Sequence, residues 1–392
     1  MSKHLCIWLF VLLGTLLASS SLLAEGVITM TTTKAVGETI RLNIGANGDV
    51  TIDGVKESAQ TNGYNNYTLT SQTVTIRGDV TNLSCYRNQL TSLDVSGCTS
   101  LTTLDCWENQ LTSLDVSGCT ALAELSCRSN KLTSLDVSGC TALTTLDCLN
   151  NSTNLDASGC SNLTTLEYFG SGKVNLSGCK SLKSFSYQGS IFHRLTSLDV
   201  SGCTALTELS CWDAALTSLN VSGCTALTTL NCARNQLTSL DVSGCTALTK
   251  LSCGGNQLTS LDLSQNTALT KLTCGSNQLT SLDLSKNTAL TELNCRWNQL
   301  TSLDVSKNVA LTTLQCSNNQ LTSLDLSNNS ALTTLDCASN LLRELNVSGC
   351  NNLNALDCYR NQIKGTEMAN IVNSLPNRQG KEVGVDSTIK CN

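Results

Sequence analysis

The chain has 392 residues, of which 40% are hydrophobic and only 4% aromatic, and it contains 23 cysteines but a single proline. Its 24 basic residues against 30 acidic ones give a net charge of -6. This charge excludes a basic nucleic-acid-binding protein, and the apolar content is too high for an acidic disordered chain. With so few aromatic rings, the core must consist of many small aliphatic side chains.

The first 24 residues have the pattern of a processing segment. Lys3 and His4 precede the apolar run 5–17, and small residues follow at 18–21. This order is typical of a secretory signal peptide, whereas a membrane-spanning helix needs about 20 apolar residues. No later segment is long and apolar enough to cross a bilayer. We therefore expect residues 1–24 to be removed and the protein to be secreted or held at the cell surface, without a transmembrane helix.

Residues 25–79 carry short alternating patterns of apolar and polar residues between turn signals such as Asn47-Gly48. Such alternation predicts strands with one buried face. The predicted strands are 27–31, 38–44, 49–52, 67–70 and 73–77. This region is expected to form a small N-terminal β cap domain.

From residue 80 to 363 the sequence repeats every 21 residues. Each repeat has a first half, Leu-x-x-Leu-x-Cys-x-x-Asn-Gln, and a second half, Leu-Thr-Ser-Leu-Asp-Val-Ser-Gly-Cys-Thr-Ala. The second half is a lengthened copy of the first. Repeats of this length are typical of a solenoid in which successive coils stack. The segment 80–363 is therefore predicted to form about 14 coils.

The repeat resembles the leucine-rich repeat family, whose core is Leu-x-x-Leu-x-Leu-x-x-Asn-x-Leu. It most resembles the nested 21-residue variety of exported Bacteroidetes-type bacterial proteins. The resemblance covers roughly three quarters of the chain. It implies a mainly β fold: a leucine-rich repeat solenoid with short parallel strands that line a recognition face. It does not identify a ligand.

Strand geometry leads to the same architecture. A strand rises about 3.3 Å per residue, so 21 residues suffice for two short strands and two turns but not for a helix of about 11 residues. Each buried aliphatic side chain contributes about 1.5–3 kcal/mol. Because no coil can bury its faces alone, both ends need caps. In one coil the side chains expected to point inward are Leu101, Leu104, Cys106, Leu111, Leu114 and Val116.

Nearly all the cysteines fall in two columns of the repeat. The Leu-x-Cys column contains Cys85, Cys106, Cys127, Cys148, Cys211, Cys232, Cys253, Cys274, Cys295, Cys316, Cys337 and Cys358. The Ser-Gly-Cys column contains Cys98, Cys119, Cys140, Cys160, Cys179, Cys203, Cys224, Cys245 and Cys350, and it carries asparagine at 266, 287, 308 and 329. A disulfide or metal ligand could not be exchanged for asparagine so freely.

We therefore predict inward, buried, reduced cysteine ladders, in which a small apolar group or a donor to the turn backbone fits equally. Disulfides between neighbouring coils remain the alternative, because exported cysteine-rich chains usually form them. Their Cα spacing of about 4.8 Å is shorter than the favoured 5.5–6 Å. Cys391 lies outside both columns and is expected to be an exposed thiol.

The repeat is irregular at 149–195. Tyr168 and Tyr187 replace column cysteines, Phe185 replaces a column leucine, and the spacing to the next Ser-Gly-Cys changes. Lysines and arginine make this the one basic stretch of an acidic chain. The segment is interpreted either as decayed repeats that join two arrays or as a bulge that kinks the solenoid and offers a binding feature.

Residues 364–392 are predicted to form a C-terminal capping helix and a polar tail. Thr366 can cap the helix, and Pro376 follows its end. The residues expected on one face of the helix are Met368, Ile371, Val372 and Leu375. This helix would cover the last coil.

The sequence offers little for catalysis. His193 is the only histidine after residue 4, so a serine or cysteine nucleophile would lack its usual partner. The recurring aspartates (94, 115, 136, 156, 199, 241, 262, 283, 304 and 325) are expected to be a solvated ladder, with calcium binding as the alternative. We predict no catalytic residue, no metal site, no cofactor and no enzyme activity.

The two positions after each Leu-x-Cys cysteine differ between coils more than other exposed positions do. They carry the tryptophans of the mature chain and several arginines, residue types enriched at interface hot spots. Neutral drift at tolerant positions is the alternative. The predicted ligand-binding residues are Tyr86, Arg87, Trp107, Arg128, Trp212, Arg234, Arg296, Trp297, Tyr359 and Arg360.

These features together predict an exported, non-enzymatic recognition or adhesion protein. Its partner would be a protein or glycan, for example on a host surface, bound through the variable face of the solenoid. Nucleic acid is not expected as a partner. The near-identity of the coils favours an alternative, a structural surface spacer without a specific ligand site.

Overall fold

The computed structural model describes residues 26–151, 153–187, 194–374 and 389–390. The described chain is mainly β, with short parallel strands stacked as a solenoid, and this confirms the predicted fold class. It divides into two compact units. We call residues 1–156 with 165–169 the N-terminal unit and residues 157–164 with 170–392 the C-terminal unit.

The N-terminal unit begins with antiparallel strands in which buried and exposed side chains alternate, as predicted. The fourth strand begins three residues before its predicted start, because its pairing with the second strand extends from Thr39–Thr68 to Asn43–Tyr64. The strands are β1 (Val27–Thr32), β2 (Thr39–Ala46), β3 (Thr51–Asp53), β4 (Tyr64–Thr68) and β5 (Thr73–Arg77).

The repeats of the N-terminal unit follow directly on these strands. They contribute β6 (Val80–Ser84), β7 (Leu90–Asp94), β8 (Thr103–Asp105), β9 (Glu124–Ser126), β10 (Ser134–Asp136), β11 (Thr145–Asp147), β12 (Asn154–Asp156) and β13 (Thr165–Glu167). One sheet has the order β13-β11-β9-β8-β6-β2-β4 and another the order β3-β5-β1-β7, while β10 pairs with β12. The antiparallel pairs β2–β6 and β1–β7 therefore cover both halves of the first coil.

The C-terminal unit contains the more regular repeats. Its elements are β14 (Gly172–Asn175), β15 (Ser184–Ser186), β16 (Leu195–Asp199), β17 (Glu208–Ser210), β18 (Ser218–Asn220), β19 (Thr229–Asn231), β20 (Lys250–Ser252), β21 (Lys271–Thr273), β22 (Glu292–Asn294), β23 (Thr313–Gln315), β24 (Thr334–Asp336), β25 (Ala355–Asp357), α1 (Thr366–Ser374) and β26 (Ile389–Lys390). A parallel sheet runs β15-β17-β19-β20-β21-β22-β23-β24-β25-β26, and β16 pairs with both β14 and β18. The register advances by whole repeats, as in the pair Leu230–Leu251.

The core of each unit is a stack of leucines. The side chains predicted to point inward in the coil that begins at Leu101 are all buried, with at most 7% exposure, at Leu114. The first-half leucines of the C-terminal unit, such as Leu251 and Leu272, are at most 2% exposed, whereas the second-half Leu240 and Leu261 are 8% exposed. The leucines of the first-half strands are thus more completely buried than those of the second half.

The cysteine ladders are buried and, with one exception, reduced. Each other column cysteine in both units is free and buried. Cys358 is disulfide-bonded, so the prediction of reduced thiols throughout both columns is wrong at this coil. Cys391, the predicted exposed thiol, lies outside the described residues.

The second cysteine column contains hydrogen-bond donors to the turn backbone. Cys224 Sγ donates to the carbonyl oxygen of Val200 at 3.1 Å, 24 residues earlier. Asn266 Nδ2 donates to Val242 O, which is also 24 residues earlier, at 3.0 Å. A thiol and an amide therefore make the same contact, because both reach one carbonyl of the preceding coil. This explains why asparagine can replace cysteine in this column.

This contact predicts different costs for two cysteine-to-asparagine substitutions. Cys245→Asn should cost less than Cys253→Asn, because the new Nδ2 can donate to Val221 O, which Cys245 Sγ now contacts at 3.5 Å, and only the Oδ1 would lack a partner, as it does at Asn266. Cys253→Asn should cost about 1–3 kcal/mol, because it places an amide in the apolar strand column. Urea unfolding of both variants measures the difference. Equal losses would contradict the assignment of the two columns.

In the irregular segment, aromatic side chains replace cysteine and leucine in the core. Tyr168 is 6% exposed and donates its hydroxyl to Thr153 O at 2.8 Å within the N-terminal unit. Tyr187 is 2% exposed and donates to Gly170 O at 2.8 Å within the C-terminal unit, and burial raises its pKa to about 12. Phe185 is also buried. These contacts favour decayed repeats over a binding feature, although residues 188–193, with His193, lie outside the described part.

The predicted C-terminal helix is α1, and its Ile371 is fully buried. Leu375 and Pro376 lie outside the described residues, as does the predicted signal peptide. The domain boundaries placed after residues 24, 79 and 363 therefore stay predictions. Within the described ranges, no helix is long and apolar enough to cross a bilayer.

Candidate ligand-binding surface

The predicted binding residues lie in a short loop that follows each first-half strand. The second residue of this loop has a left-handed backbone, with φ of 56° at Arg87, 56° at Trp297 and 55° at Arg360. Gly255 occupies the same position in another coil, with φ of 68°. A side chain in this conformation costs roughly 1–2 kcal/mol, so the surrounding contacts must hold the loop in place.

A ladder of buried asparagines holds these loops. Asn109 Nδ2 donates to Cys106 O at 2.9 Å and to Cys85 O at 3.1 Å, and its Oδ1 accepts the Leu90 N–H at 3.0 Å. The same contacts recur at Asn235, Asn256, Asn277, Asn298, Asn319 and Asn340. The loops are therefore rigid platforms for the side chains they carry.

In the N-terminal unit, the structure brings three rings into contact. The ring of Tyr86 stacks on that of Trp107, with centroids 4.6 Å apart and planes at 8°. The ring of Tyr64 meets Tyr86 edge-on at 5.7 Å. We call Tyr64, Tyr86 and Trp107 the aromatic row. Tyr64 is 43% exposed and the other two are partly exposed.

Arginines flank the aromatic row. The guanidinium carbon of Arg41 lies 4.5 Å from the Tyr64 ring centroid, and that of Arg87 lies 4.6 Å from the Trp107 centroid. Arg87 also forms a bidentate ion pair with Glu108, at 2.6 and 3.1 Å. Arg128 is exposed and reaches Asp147 only at 4.0 Å. The structure thus brings Tyr86, Arg87 and Trp107 into contact with one another, whereas Arg128 lies on the adjacent coil.

Sequence reasoning missed Tyr64 and Arg41. Both lie in the antiparallel strands before the repeats, on β4 and β2. They reach the aromatic row only because β2 pairs with both β4 and β6. No local pattern indicates that long-range register.

In the C-terminal unit, the predicted residues form separate pairs. Arg234 lies over the Trp212 ring at 5.3 Å, and Arg360 lies over the Tyr359 ring at 5.3 Å. Trp297, by contrast, is 61% exposed. Arg296 reaches across a coil to Asp336 Oδ2 at 2.9 Å, and the same oxygen accepts the Ser317 hydroxyl at 2.8 Å. Arg296 is therefore occupied by an internal ion pair, which weakens its assignment as a ligand contact.

The exposed face of the first-half strands is a second variable surface, which the sequence prediction overlooked. It consists of the two residues that flank each strand leucine, and the identities of these residues vary from coil to coil. In the N-terminal unit they include Asp105, Glu124, Asp147 and Glu167. In the C-terminal unit they include Lys250, Lys271 and Glu292, of which the last two form an ion pair at 2.6 Å.

A hydrogen-bond chain links this face to the aromatic row. The Tyr64 hydroxyl donates to Ser84 Oγ at 3.2 Å, and the Ser84 hydroxyl donates to Asp105 Oδ2 at 2.9 Å. Burial raises the pKa of Asp105, and the negative charge of Asp147 raises it further, whereas the hydrogen bond from Ser84 lowers it. Asp105 is thus held between the aromatic row and the strand face.

The aspartates of the second half have a structural role. Asp262 Oδ1 accepts the Ser264 N–H at 2.8 Å, and Asp283 repeats this turn with Ser285 at 2.9 Å. These hydrogen bonds lower the pKa of both aspartates. Across the part of the chain that the structure describes, no cluster of three or more histidine, cysteine or acidic residues could hold a metal ion. These aspartates therefore cap the second-half turns.

Comparison with known proteins agrees with this architecture. A family model described as "Leucine Rich repeats (2 copies)" matches residues 225–266. The functional domain of InlJ from Listeria monocytogenes, which includes a cysteine ladder, is 34% identical, with 79% of this chain and 69% of that chain covered and a TM-score of 0.46. The chain belongs to the leucine-rich repeat family.

Other leucine-rich repeat structures are more distant. An internalin, InlF, from Listeria monocytogenes is 24% identical over 75% of this chain and 85% of its own, with a TM-score of 0.47. The Toll–Spätzle complex of Drosophila contains a chain that is 20% identical over 67% of this chain and 42% of that chain, with a TM-score of 0.53. No curated protein matches the sequence. The leucine-rich repeat fold is typical of binding scaffolds, and the variable loops and strand face are its candidate binding surface.

Proposed function

We propose that this leucine-rich repeat protein is an exported, non-enzymatic recognition or adhesion protein that binds a protein or glycan ligand. The ligand would contact the loops after the first-half strands and the adjoining strand face. The observation that carries this proposal is Trp297, a large apolar side chain that is 61% exposed on a rigid loop with a left-handed backbone. Exposed aromatic side chains on rigid platforms are typical of interface hot spots.

The signal-peptide pattern of residues 1–24 supports export, with the protein either secreted or held at the cell surface. The 21-residue register and the two-half coil support the nested variety of the family found in exported Bacteroidetes-type proteins. One observation favours the alternative of a structural spacer: the same hydrogen bonds recur from coil to coil, as at Asn256 and Asn277. A spacer would need no exposed tryptophan.

A binding screen with matched variants tests the proposal. The mature chain is screened against host proteins and glycans, and any ligand found is titrated with the variants Trp107→Ala, Trp212→Ala and Trp297→Ala. We expect at least one variant to weaken binding tenfold or more, because hot-spot truncation costs about 2 kcal/mol or more.

Val309→Ala is the control, because Val309 is also apolar and 55% exposed but lies in the second-half turn. Its binding should match that of the wild type, and the urea midpoints of all variants should stay close to the wild-type value. Wild-type binding by all three tryptophan variants would contradict the proposed surface and favour the spacer.

A further inference from the structure

The strand face of the N-terminal unit has an excess of negative charge. Asp105, Glu124, Asp147 and Glu167 come from four successive first-half strands, β8, β9, β11 and β13, which pair in one parallel sheet. Glu124 and Glu167 are exposed and the two aspartates are half-buried. We call these four residues the acidic face. Asp147 and Glu167 occupy the same register position on neighbouring strands, about 4.8 Å apart. Asp105 lies in the same register row, with Ser126 between it and Asp147, and Glu124 lies two residues before Ser126, opposite Thr103 and Thr145.

The charge of the acidic face is poorly compensated within the chain. Its nearest cation, Arg128, approaches Asp147 only at 4.0 Å, and Glu124 and Glu167 form no ion pair with any residue that the structure describes. The strand face of the C-terminal unit differs, because Lys271 neutralises Glu292 at 2.6 Å. The acidic face is thus complementary in charge to a positively charged ligand.

The aromatic row adjoins the acidic face through the hydrogen bonds of Tyr64 and Ser84. Its rings are engaged with one another and with arginines: Tyr86 covers Trp107, and Arg41 covers Tyr64. A sugar ring needs an open aromatic face on which to stack, whereas aliphatic side chains of a peptide can pack against ring edges. The geometry therefore favours a peptide over a glycan at this position.

We propose that the acidic face, together with the adjoining aromatic row, is a docking surface for a lysine- and arginine-rich segment of a protein partner. The proposal rests on the proposed recognition function and names the class of ligand for the N-terminal unit. The carboxylates would pair with the cationic groups, and the edges of Tyr86 and Trp107 would contact the aliphatic stems. Ion pairs made on such a face would steer association and weaken as salt is added.

A charge-matched peptide titration tests this proposal. The probe is a fluorescent peptide of alternating lysine and alanine, and the full mature protein is titrated by anisotropy at low and physiological salt. The variant Glu124→Gln/Asp147→Asn/Glu167→Gln should bind at least tenfold more weakly. The control is Asp94→Asn/Asp115→Asn/Asp136→Asn, which changes the same charge in the second half of the same unit and should bind within about twofold of the wild type.

A second variant distinguishes loss of the binding surface from loss of the fold. Glu124→Lys alters one exposed side chain, and it should weaken peptide binding while leaving the urea midpoint unchanged. Equal losses in the triple variant and its control would overturn the proposal, because binding would then depend only on net charge. Failure of the wild type to bind the peptide would also overturn it.

The proposed recognition function can fail or survive independently of this surface. A ligand whose binding depends on Trp297 but is unaffected by the acidic-face variants would leave the recognition function standing and refute the basic-peptide surface. Basic-peptide binding that depends on the acidic face, together with a ligand screen in which no binding depends on Trp107, Trp212 or Trp297, would support this surface and refute the tryptophan loops as the recognition site.

Discussion

Raising the pH of the reduced protein from about 8 to about 10 will sharply lower its stability, because its buried thiols keep their protons while those of the unfolded chain lose theirs. Burial raises the pKa of Cys211 and Cys245 to about 12 and that of Cys224 to about 11, from an ordinary value near 9. The unfolded chain therefore binds fewer protons above the ordinary pKa, so stability is fully present below it and falls as the pH rises towards the folded-state values.

The expected loss is large because many thiols contribute. Each buried thiol loses about 1.4 kcal/mol of its contribution per pH unit in this window. A few such thiols in one cooperative segment thus change the free energy of unfolding by an amount comparable with the roughly 5–15 kcal/mol stability of a typical domain. The described cysteines whose pKa is raised extend through both units, from Cys85 to Cys350.

The measurement compares urea midpoints at about pH 8 and about pH 10 in the presence of a reductant. Replacing Cys203, Cys224 and Cys245 by asparagine removes three thiols from the second column and should reduce the difference between the two midpoints.

A thiol reagent at pH 7.5 should label the column cysteines only after denaturation, because buried protonated thiols are inert. Midpoints that do not depend on pH, or rapid labelling of the native protein, would contradict the buried ladder.

Replacing one asparagine of the buried ladder will destabilise the C-terminal unit strongly. Asn277 Nδ2 donates to Cys253 O at 3.1 Å and to Cys274 O at 3.0 Å, and its Oδ1 accepts the Leu258 N–H at 3.0 Å. Asn277→Ala removes all three bonds in a buried site. A buried polar group left without a partner costs about 1–3 kcal/mol, so we expect a loss of about 3 kcal/mol or more in urea unfolding.

Gln278→Ala is the matched control, because Gln278 is the next residue of the same loop and its side chain is exposed. Its backbone N–H still donates to Leu258 O at 2.8 Å. The control should therefore remain within about 0.5 kcal/mol of the wild type, as exposed substitutions usually do. If both variants lost similar stability, the asparagine side chains would not be what holds the loops.

The sequence determined the solenoid and its inward columns. Each coil contacts copies of itself 21 residues away, as the register Leu251–Leu272 illustrates, so a local pattern encodes nearly every contact within the repeats. The exchange of cysteine for asparagine likewise indicated an inward position that accepts either a small apolar group or a donor to the turn backbone. The contact of Cys224 Sγ with Val200 O, which only the structure shows, explains why the two residue types can replace each other.

The tertiary structure alone decided how the candidate surface is assembled. Tyr64 and Arg41 join the aromatic row through the antiparallel pairings of β2 with β4 and β6. These pairings do not recur along the described repeats, so the 21-residue period does not predict them. The internal ion pair of Arg296 with Asp336 depends on a side chain reaching across a coil, and sequence spacing does not fix that direction. Contacts within the repeats are encoded by a local pattern that recurs in every coil. The contacts of Tyr64, Arg41 and Arg296 depend instead on long-range strand registers and side-chain conformations, which only the folded chain specifies.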